Sequence, residues 1–432
     1  MFLKESLLAV PLALALCAVA ARAQAPNEAA NGSPERVYSL DDALHLVRND
    51  PKLQSSEQDV IIAESRVTEA QLRFLPEVGL QASASKFNAL YPFSLPENYH
   101  NILLFPNSPD NIYSGRGYFN LPIYEGQRTL NTYRLALAAQ KQAVANRDSV
   151  EMDLHLQVKE SFYHLLLAQE RAAAADEHLQ AVERFASEGG GGAWEAVETE
   201  AALASARAGS SEAAHVLESS KLAFLKSLNL ELDTPFHVTG ALTTVSTKIE
   251  VERAVLWAME LRPELQSQTY KAQIDAIGVS LANGRRYPTV SVGGDYELTA
   301  PSFPLNKNNW DVTLGVKIPL TYDLWSQLKQ KRAEQRQGQL ARSGLQDQVR
   351  LQVRQAAESL RYWQEEWPRR EKQWLRIKQL YDAAAGKAGS ALARIRAHQG
   401  MLDLRQAYLT AVTEHLLARA RLERAVGREI AP

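Results

Sequence analysis

Four consecutive glycines, Gly189 to Gly192, form the grouping that catalytic chemistry could most readily use. Glycine-rich loops cradle phosphate with backbone amides, but that chemistry needs a following Lys-Ser or Lys-Thr pair. Ala193-Trp194 stand there instead. Glu160 and His164 lie one helical turn apart, yet the nine histidines include no His-Glu-x-x-His pair and have no cysteine partners. At that spacing a solvated pair is the ordinary outcome. No Gly-x-Ser-x-Gly elbow offers a nucleophile. The sequence therefore predicts no enzyme, no cofactor and no metal site. The glycines read as a flexible loop, or as a tight helix-to-helix turn that a partner's backbone can approach.

Composition narrows the classes further. The chain has 432 residues, with Lys+Arg 48 against Asp+Glu 50 and a formal net charge of -2, so it lacks a basic footprint for nucleic acid. The dense charges from Gln327 to Lys378 read as a solvated helix. A hydrophobic content of 45% is too low for a bundle of membrane helices. The single cysteine excludes a disulfide framework. It lies in an apolar run, Leu7 to Ala21, that follows Lys4 and ends in Ala21-Arg22-Ala23. That pattern predicts a signal peptide over 1–23, cleaved after Ala23, in a run short of the roughly 20 residues that span a bilayer as a helix. Leu16 precedes Cys17 where a lipidation site requires a small residue.

The remainder reads as two tandem copies of one unit, 24–250 and 251–432. Asn49-Asp50-Pro51-Lys52-Leu53-Gln54-Ser55 matches Leu261-Arg262-Pro263-Glu264-Leu265-Gln266-Ser267 in register. The same separation carries Ala70 onto Ala282 and Pro76 onto Pro288. Pro122 meets Pro319 at a separation shorter by about fifteen residues, which places an insertion in the Pro- and Asn-rich loop from Tyr91 to Asp110.

Each copy is expected to run helix, strand, loop, strand, very long helix, tip, helix. Apolar residues alternate with polar ones over about 77–87, 112–122, 289–299 and 310–320. Val78, Leu80, Val290, Val292, Val312, Leu314 and Val316 are the candidate lipid-facing positions. These lengths match the 9–11 residues with which a strand spans a bilayer. Four strands cannot close a membrane barrel, which starts at about eight, and an open edge in lipid leaves backbone groups unpaired. The barrel must then be shared, with eight strands in a dimer or twelve in a trimer. Long helices are expected at about 124–188 and 323–385, with tips at about 189–193 and 386–390. A spacing of 3.5 runs through Leu130, Tyr133, Leu137, Val144, Leu154, Val158, Leu165, Ala168, Ala172, Leu179 and Val182, predicting coiled-coil packing. Gln140, Arg147 and Ser161 interrupt that seam, and Pro368 should bend the second long helix.

With these elements in this order, the chain resembles the TolC-like outer-membrane efflux proteins over nearly all of its mature length. Asn49-Asp50-Pro51-Lys52-Leu53 and Leu261-Arg262-Pro263-Glu264-Leu265 resemble the opening of each family repeat. Leu121-Pro122-Ile123-Tyr124-Glu125-Gly126-Gln127-Arg128 resembles its strand-to-helix junction. Arg184-Phe185 through Gly189, with Glu195, Val197, Leu203 and Arg207, resembles its tip motif, and Leu422 to Gly427 its ending. The resemblance implies a mixed α and β membrane protein: a homotrimer with one transmembrane β-barrel, four strands per chain, in outer-membrane lipid. A long coiled-coil helical barrel would continue it across the periplasm. It implies an exit duct for tripartite efflux or type I secretion, working with a periplasmic adaptor and an inner-membrane pump. The tip positions that would dock the adaptor are Gly189, Gly192, Glu195, Val197, Thr199, Gly386, Ser390, Ile395 and Ala397. Gly192 departs from the family's Ser, Glu195 from its Asp, and Ala393 from its acidic residue. The alternatives are a periplasmic adaptor, which would have one hairpin and no repeat, and a coiled-coil scaffold, which would lack the strands.

Overall fold

The computed structural model describes residues 36–86, 111–188, 192–244, 246, 250–320, 322–384 and 390–430. The expected signal peptide, the loop from Tyr91 to Asp110, and Gly189 and Gly386 lie outside the described residues. Strand β1 (Arg36–Tyr38) leads into helix α1 (Leu40–Leu46). Ser39 Oγ accepts from the Asp42 amide at 3.2 Å, and the Asp42 carboxylate accepts from the Ser39 amide at 3.1 Å, a reciprocal capping box. A short 3-10 turn then hands over to α2 (Pro51–Leu72). Proline is tolerated at the first helical position because that amide has no helical partner, and the Asp50 carboxylate caps the Lys52 amide at 2.7 Å.

Beyond Pro76 come β2 (Glu77–Lys86) and β3 (Asn111–Tyr124), then the 60-residue α3 (Arg128–Ser187), α4 (Ala193–Ser227) and β4 (Phe236–Val238). The chain continues through α5 (Val251–Leu261), α6 (Pro263–Gly284), β5 (Thr289–Ala300) and β6 (Lys307–Lys317). The 62-residue α7 (Asp323–Ala384) and α8 (Ala391–Val426) complete it. At ~1.5 Å per residue, α3 and α7 are each roughly 90 Å long. α7 continues through Pro368 to Ala384. The proline lacks an amide, so the Gln364 carbonyl loses its helical donor there.

α3 packs against α2 and α4, and also against α6 and α8, while α7 packs against α5, α6 and α8. Toward the tip the expected seam is the buried one: Leu154, Val158, Leu165, Ala168 and Val182. Nearer the strands burial shifts to Ala136, Ala138 and Ala145, and Leu130 is 38% exposed. There α2 and α6 both lie along α3, and small side chains permit the close approach. Of the polar seam residues, Ser161 Oγ meets Ser227 Oγ at 2.7 Å, the Gln140 amide reaches Glu64 at 3.4 Å, and Arg147 pairs with Asp148.

Two apolar cores thicken the middle of the helices. In the first, Tyr38, Phe162, Leu165 and Phe224 pack together with Phe236, where β1 pairs in parallel with β4. In the second, Ala254 and Val255 of α5 meet Val349, Val353, Leu422 and Val426.

The larger sheet is antiparallel, in the order β2-β3-β5-β6. Three elements differ from expectation in where they end. β3 extends to Tyr124 and α3 starts at Arg128, not near 124, because the register shifts between Pro122 and Tyr124. That bulge accommodates a residue without an amide, so pairing continues past the proline. β6 spans 307–317 instead of about 310–320, because Lys317 faces Thr289, the first residue of β5 after Pro288. Its partner strand ends there.

Candidate functional site: the sheet and the helix tips

The strand register divides the sheet into two chemically distinct faces. Val78 pairs with Phe119, Val290 with Val316, Val292 with Leu314 and Gly294 with Val312. Leu121 of β3 pairs with Val292 of β5, which links the two hairpins on the same face. All seven candidate lipid-facing residues therefore share one side, joined by Tyr296 and Trp310. Val78, Leu80, Val312, Leu314 and Val316 are exposed, Leu80 at 92%, while Val290 and Val292 are half-buried by neighbours. The opposite side carries Gln81, Ser83, Ser114, Arg116, Asp295, Glu297, Asp311 and Thr313. There Arg116 pairs with Asp295, Ser83 and Ser114 hydroxyls lie 2.9 Å apart, and Thr313 Oγ1 donates to Asp311 at 2.8 Å. Among the described residues no helix packs across this sheet. β2 and β6 each pair on one side only. A bare apolar face and two open edges are costly in water, where the face stays wetted and the edges invite pairing.

The step from sheet to helix is a close backbone contact. Gly126 adopts φ 62°, and a Cβ there would lie 2.4 Å from the Gly284 carbonyl oxygen. A Cβ on Gly284 would lie 2.6 Å from the Gly126 oxygen. Arg128 Nε donates to the Glu125 carbonyl at 3.0 Å, and Thr129 Oγ1 donates to the Glu125 carboxylate at 2.7 Å, fixing the first turn of α3. On the other long helix, the Arg286 guanidinium sits 4.0 Å over the Trp325 ring.

At the far ends of the helices, Gly192 directly precedes α4, and Ser390 Oγ caps α8 by accepting from the Ala393 amide at 3.3 Å. Val197 is 60% exposed and Ala397 is exposed, whereas Glu195 and Thr199 are half-buried and linked by a 2.8 Å bond from Thr199 Oγ1 to the Glu195 carbonyl. Ile395 departs from the expected docking surface. It is 3% exposed and packs with Val182, Leu203 and Ala206, because its side of α8 turns toward α3 and α4. Ion pairs Arg394–Glu188 at 2.5 Å and Arg396–Glu198 at 3.0 Å cross between the two tips. Trp194, 84% exposed in the first turn of α4, was not among the expected tip residues. An indole two residues after a glycine run was the available signal.

Charged groups inside the helical body form structural pairs. Glu160 receives Arg421 at 2.8 Å, so its turn with His164 serves helix packing. Arg424 donates to Asp153 at 2.6 Å and to Glu264 at 2.5 Å, and Arg262 donates to Gln352 at 2.7 Å. Burial pushes the Glu264 carboxyl up, but Arg424 outweighs it and holds the group below its ordinary range. Burial likewise opposes the charge on Arg424, and Asp153 with Glu264 more than restores it. These residues join α3, α6, α7 and α8, a proximity that helix periodicity alone does not reveal. His415 is fully buried beside Trp367, and burial, aided by Arg419, holds its ring below the ordinary histidine value. Among the described residues no group of three or more His, Cys, Asp or Glu could hold a metal, and no helix is long and apolar enough to cross a membrane.

A two-faced sheet mounted on helices of this length is the arrangement that solved outer membrane channels share. Residues 45–230 match the family model for outer membrane efflux proteins, and the fold is that of solved outer membrane channels. The solved CmeC outer membrane channel of Campylobacter jejuni aligns with a TM-score of 0.79 at 15% identity, covering 90% of this chain and 85% of that one. VceC of Vibrio cholerae aligns at 0.75 and 16% identity, covering 90% of this chain and 96% of its own. The open MtrE channel of Neisseria gonorrhoeae aligns at 0.72 and 16% identity, covering 90% and 89%. No curated protein matches in sequence.

Proposed function

We propose that three copies of this chain form one duct that leads from an inner-membrane pump, through a periplasmic adaptor, across the outer membrane. Twelve strands would close one barrel, with β2 of each copy pairing with β6 of the next, and the long helices would form a tunnel beneath it. The two passages through helix, strand, strand, long helix and helix would be tandem copies of one unit, giving the trimer near-sixfold symmetry. The observation that carries this reading is the sheet: one exposed apolar face, one polar face and both edges open. Trimeric closure covers the edges, puts Val78, Leu80 and Leu314 in lipid, and puts Arg116 and Asp295 in the lumen. The transport itself needs no chemistry from the chain, since a wide conduit conducts whatever its pump delivers, in tripartite efflux or in type I secretion.

The test is localisation together with conductance. The expected outcome is mature protein, cleaved of its signal peptide and recovered in the outer-membrane fraction, that produces ion-conducting events in a planar bilayer. Recovery in the soluble periplasmic fraction, with no conductance after purification, would refute the duct.

A further inference from the structure

Close to the tips, two histidines meet between α3 and α8, beside the ion pairs of Arg405 with Glu170 and Glu177 that join the same helices. The Nδ1 atoms of His178 and His398 lie 2.9 Å apart, and His398 is 4% exposed. The rings are parallel to within 5°, with centroids 5.2 Å apart. A nitrogen separation this short is less than the ~3.5 Å that stacked rings keep between them. The imidazoles therefore meet edge to edge, nearly in one plane, along an N–H···N line. One ring must donate its Nδ1 proton, and the other must accept at Nδ1 while carrying its own proton on Nε2. Two neutral rings can do this. A ring and an imidazolium can also do it. Two imidazoliums cannot, because both Nδ1 atoms would then be donors and two like charges would face each other.

We propose that this pair is a proton-operated latch between the two halves of the chain beside the tips, closed at neutral pH and released once both rings are protonated. The surroundings set its direction. Glu177 and Arg184 face the pair from α3, Asp403 and the Gln399 amide from α8, and Tyr381 from α7, its ring 5.6 Å from that of His398. On the α4 side a cavity of about 380 Å³ borders His178 and is lined by Arg171, Ser210 and Glu212. Both acidic neighbours are engaged: Glu177 receives Arg405 at 3.4 Å, and Asp403 accepts from Gln399 at 2.7 Å. Burial is the largest influence on both rings and holds both below the ordinary histidine value of 6.5. The positive charge of His178 pushes His398 further the same way, against Glu177, while Asp403 opposes burial at His178. The folded chain thus binds these protons less readily than an opened one. The contribution of the latch is complete above about pH 6.5 and is lost as pH falls below it through the depressed values.

Release has a defined mechanical consequence. Ile395, Val182, Leu203 and Ala206 form the neighbouring apolar contact between α8, α3 and α4. Without the histidine bond the end of α8 keeps only that small cluster and the half-exposed ion pairs Arg394–Glu188 and Arg396–Glu198, so acid loosens the tip ahead of the two large cores. The latch stands on the packing of one chain. Its effect on transport, a tip that loosens when the periplasm acidifies, rests on the proposed duct.

Hydrogen exchange of the full chain in mild detergent, read by mass spectrometry and corrected for the intrinsic pH effect, tests it. Peptides around His178 and around His398 should exchange about tenfold faster at about pH 5 than at about pH 7.5. Peptides around Phe162 and Phe224 should not change. His178→Gln combined with His398→Gln should remove the pH difference. An equal response in wild type and variant, or none in wild type, overturns the latch. Should the double variant not fold, nitrogen NMR of labelled histidine in the wild type, assigned with His178→Gln alone, decides the matter. A bonded pair takes up its two protons in well-separated steps, and two rings titrating together overturn the proposal. A chain that forms no duct can still pass this test.

Discussion

Gly126 has no room for a side chain and a backbone that resists one. Its φ of 62° disfavours any residue with a Cβ, and the Gly284 carbonyl oxygen stands 2.4 Å from where that carbon would be. Gly126→Ala should therefore cost at least ~2 kcal/mol and lower the thermal midpoint, whereas Gly209→Ala, inside α4 with open space around it, should not. At the tips, sequence likeness grouped Val197 with Ile395, and packing separates them. Val197→Asp should leave the fold within ~0.5 kcal/mol of wild type, because the side chain is 60% exposed. Ile395→Asp should cost ~4 kcal/mol or more, because an unpaired carboxylate would enter the contact with Val182 and Leu203. Chemical denaturation of each purified variant checks both. If the adaptor docks here, Val197→Asp should abolish adaptor crosslinking while the amount of assembled protein is unchanged.

At the scale of elements, the parity of the strands carries the argument. In the proposed barrel, arginine at Leu314 or Val292 should cost ~2–4 kcal/mol near the bilayer midplane, and arginine at Thr313 or Ser291 should be tolerated in the lumen. Resistance of the membrane-extracted assembly to heat would measure it, and equal losses on both parities would reverse the assignment of faces. Strands and long helices were legible because their cues are local: period-two alternation from Trp310 to Val316, and the absence of proline between Gly126 and Ser187. The junctions were less so. Pro122 suggested the end of β3, but a bulge depends on what the neighbouring strand offers, which no window of sequence contains. The ion pairs of Arg424 with Asp153 and Glu264, and the His178–His398 contact, were not legible for the same reason, since each joins helices remote in the chain. The burial of Ile395 likewise depends on α3 and α4, not on the spacing of residues in α8.

For the whole molecule, the sheet and the helical body of one chain differ in how far they are finished. Among the described residues its sheet has four strands with both edges open, and no helix covers the apolar strand face. The helical body, by contrast, holds two large apolar cores made within one chain. Such a chain should fold its helices alone and close its sheet only with copies of itself. The mass of the particle extracted in mild detergent tests this most directly. Three copies, persisting on dilution, are the predicted result; a stable monomer or dimer with its sheet intact would contradict the shared barrel.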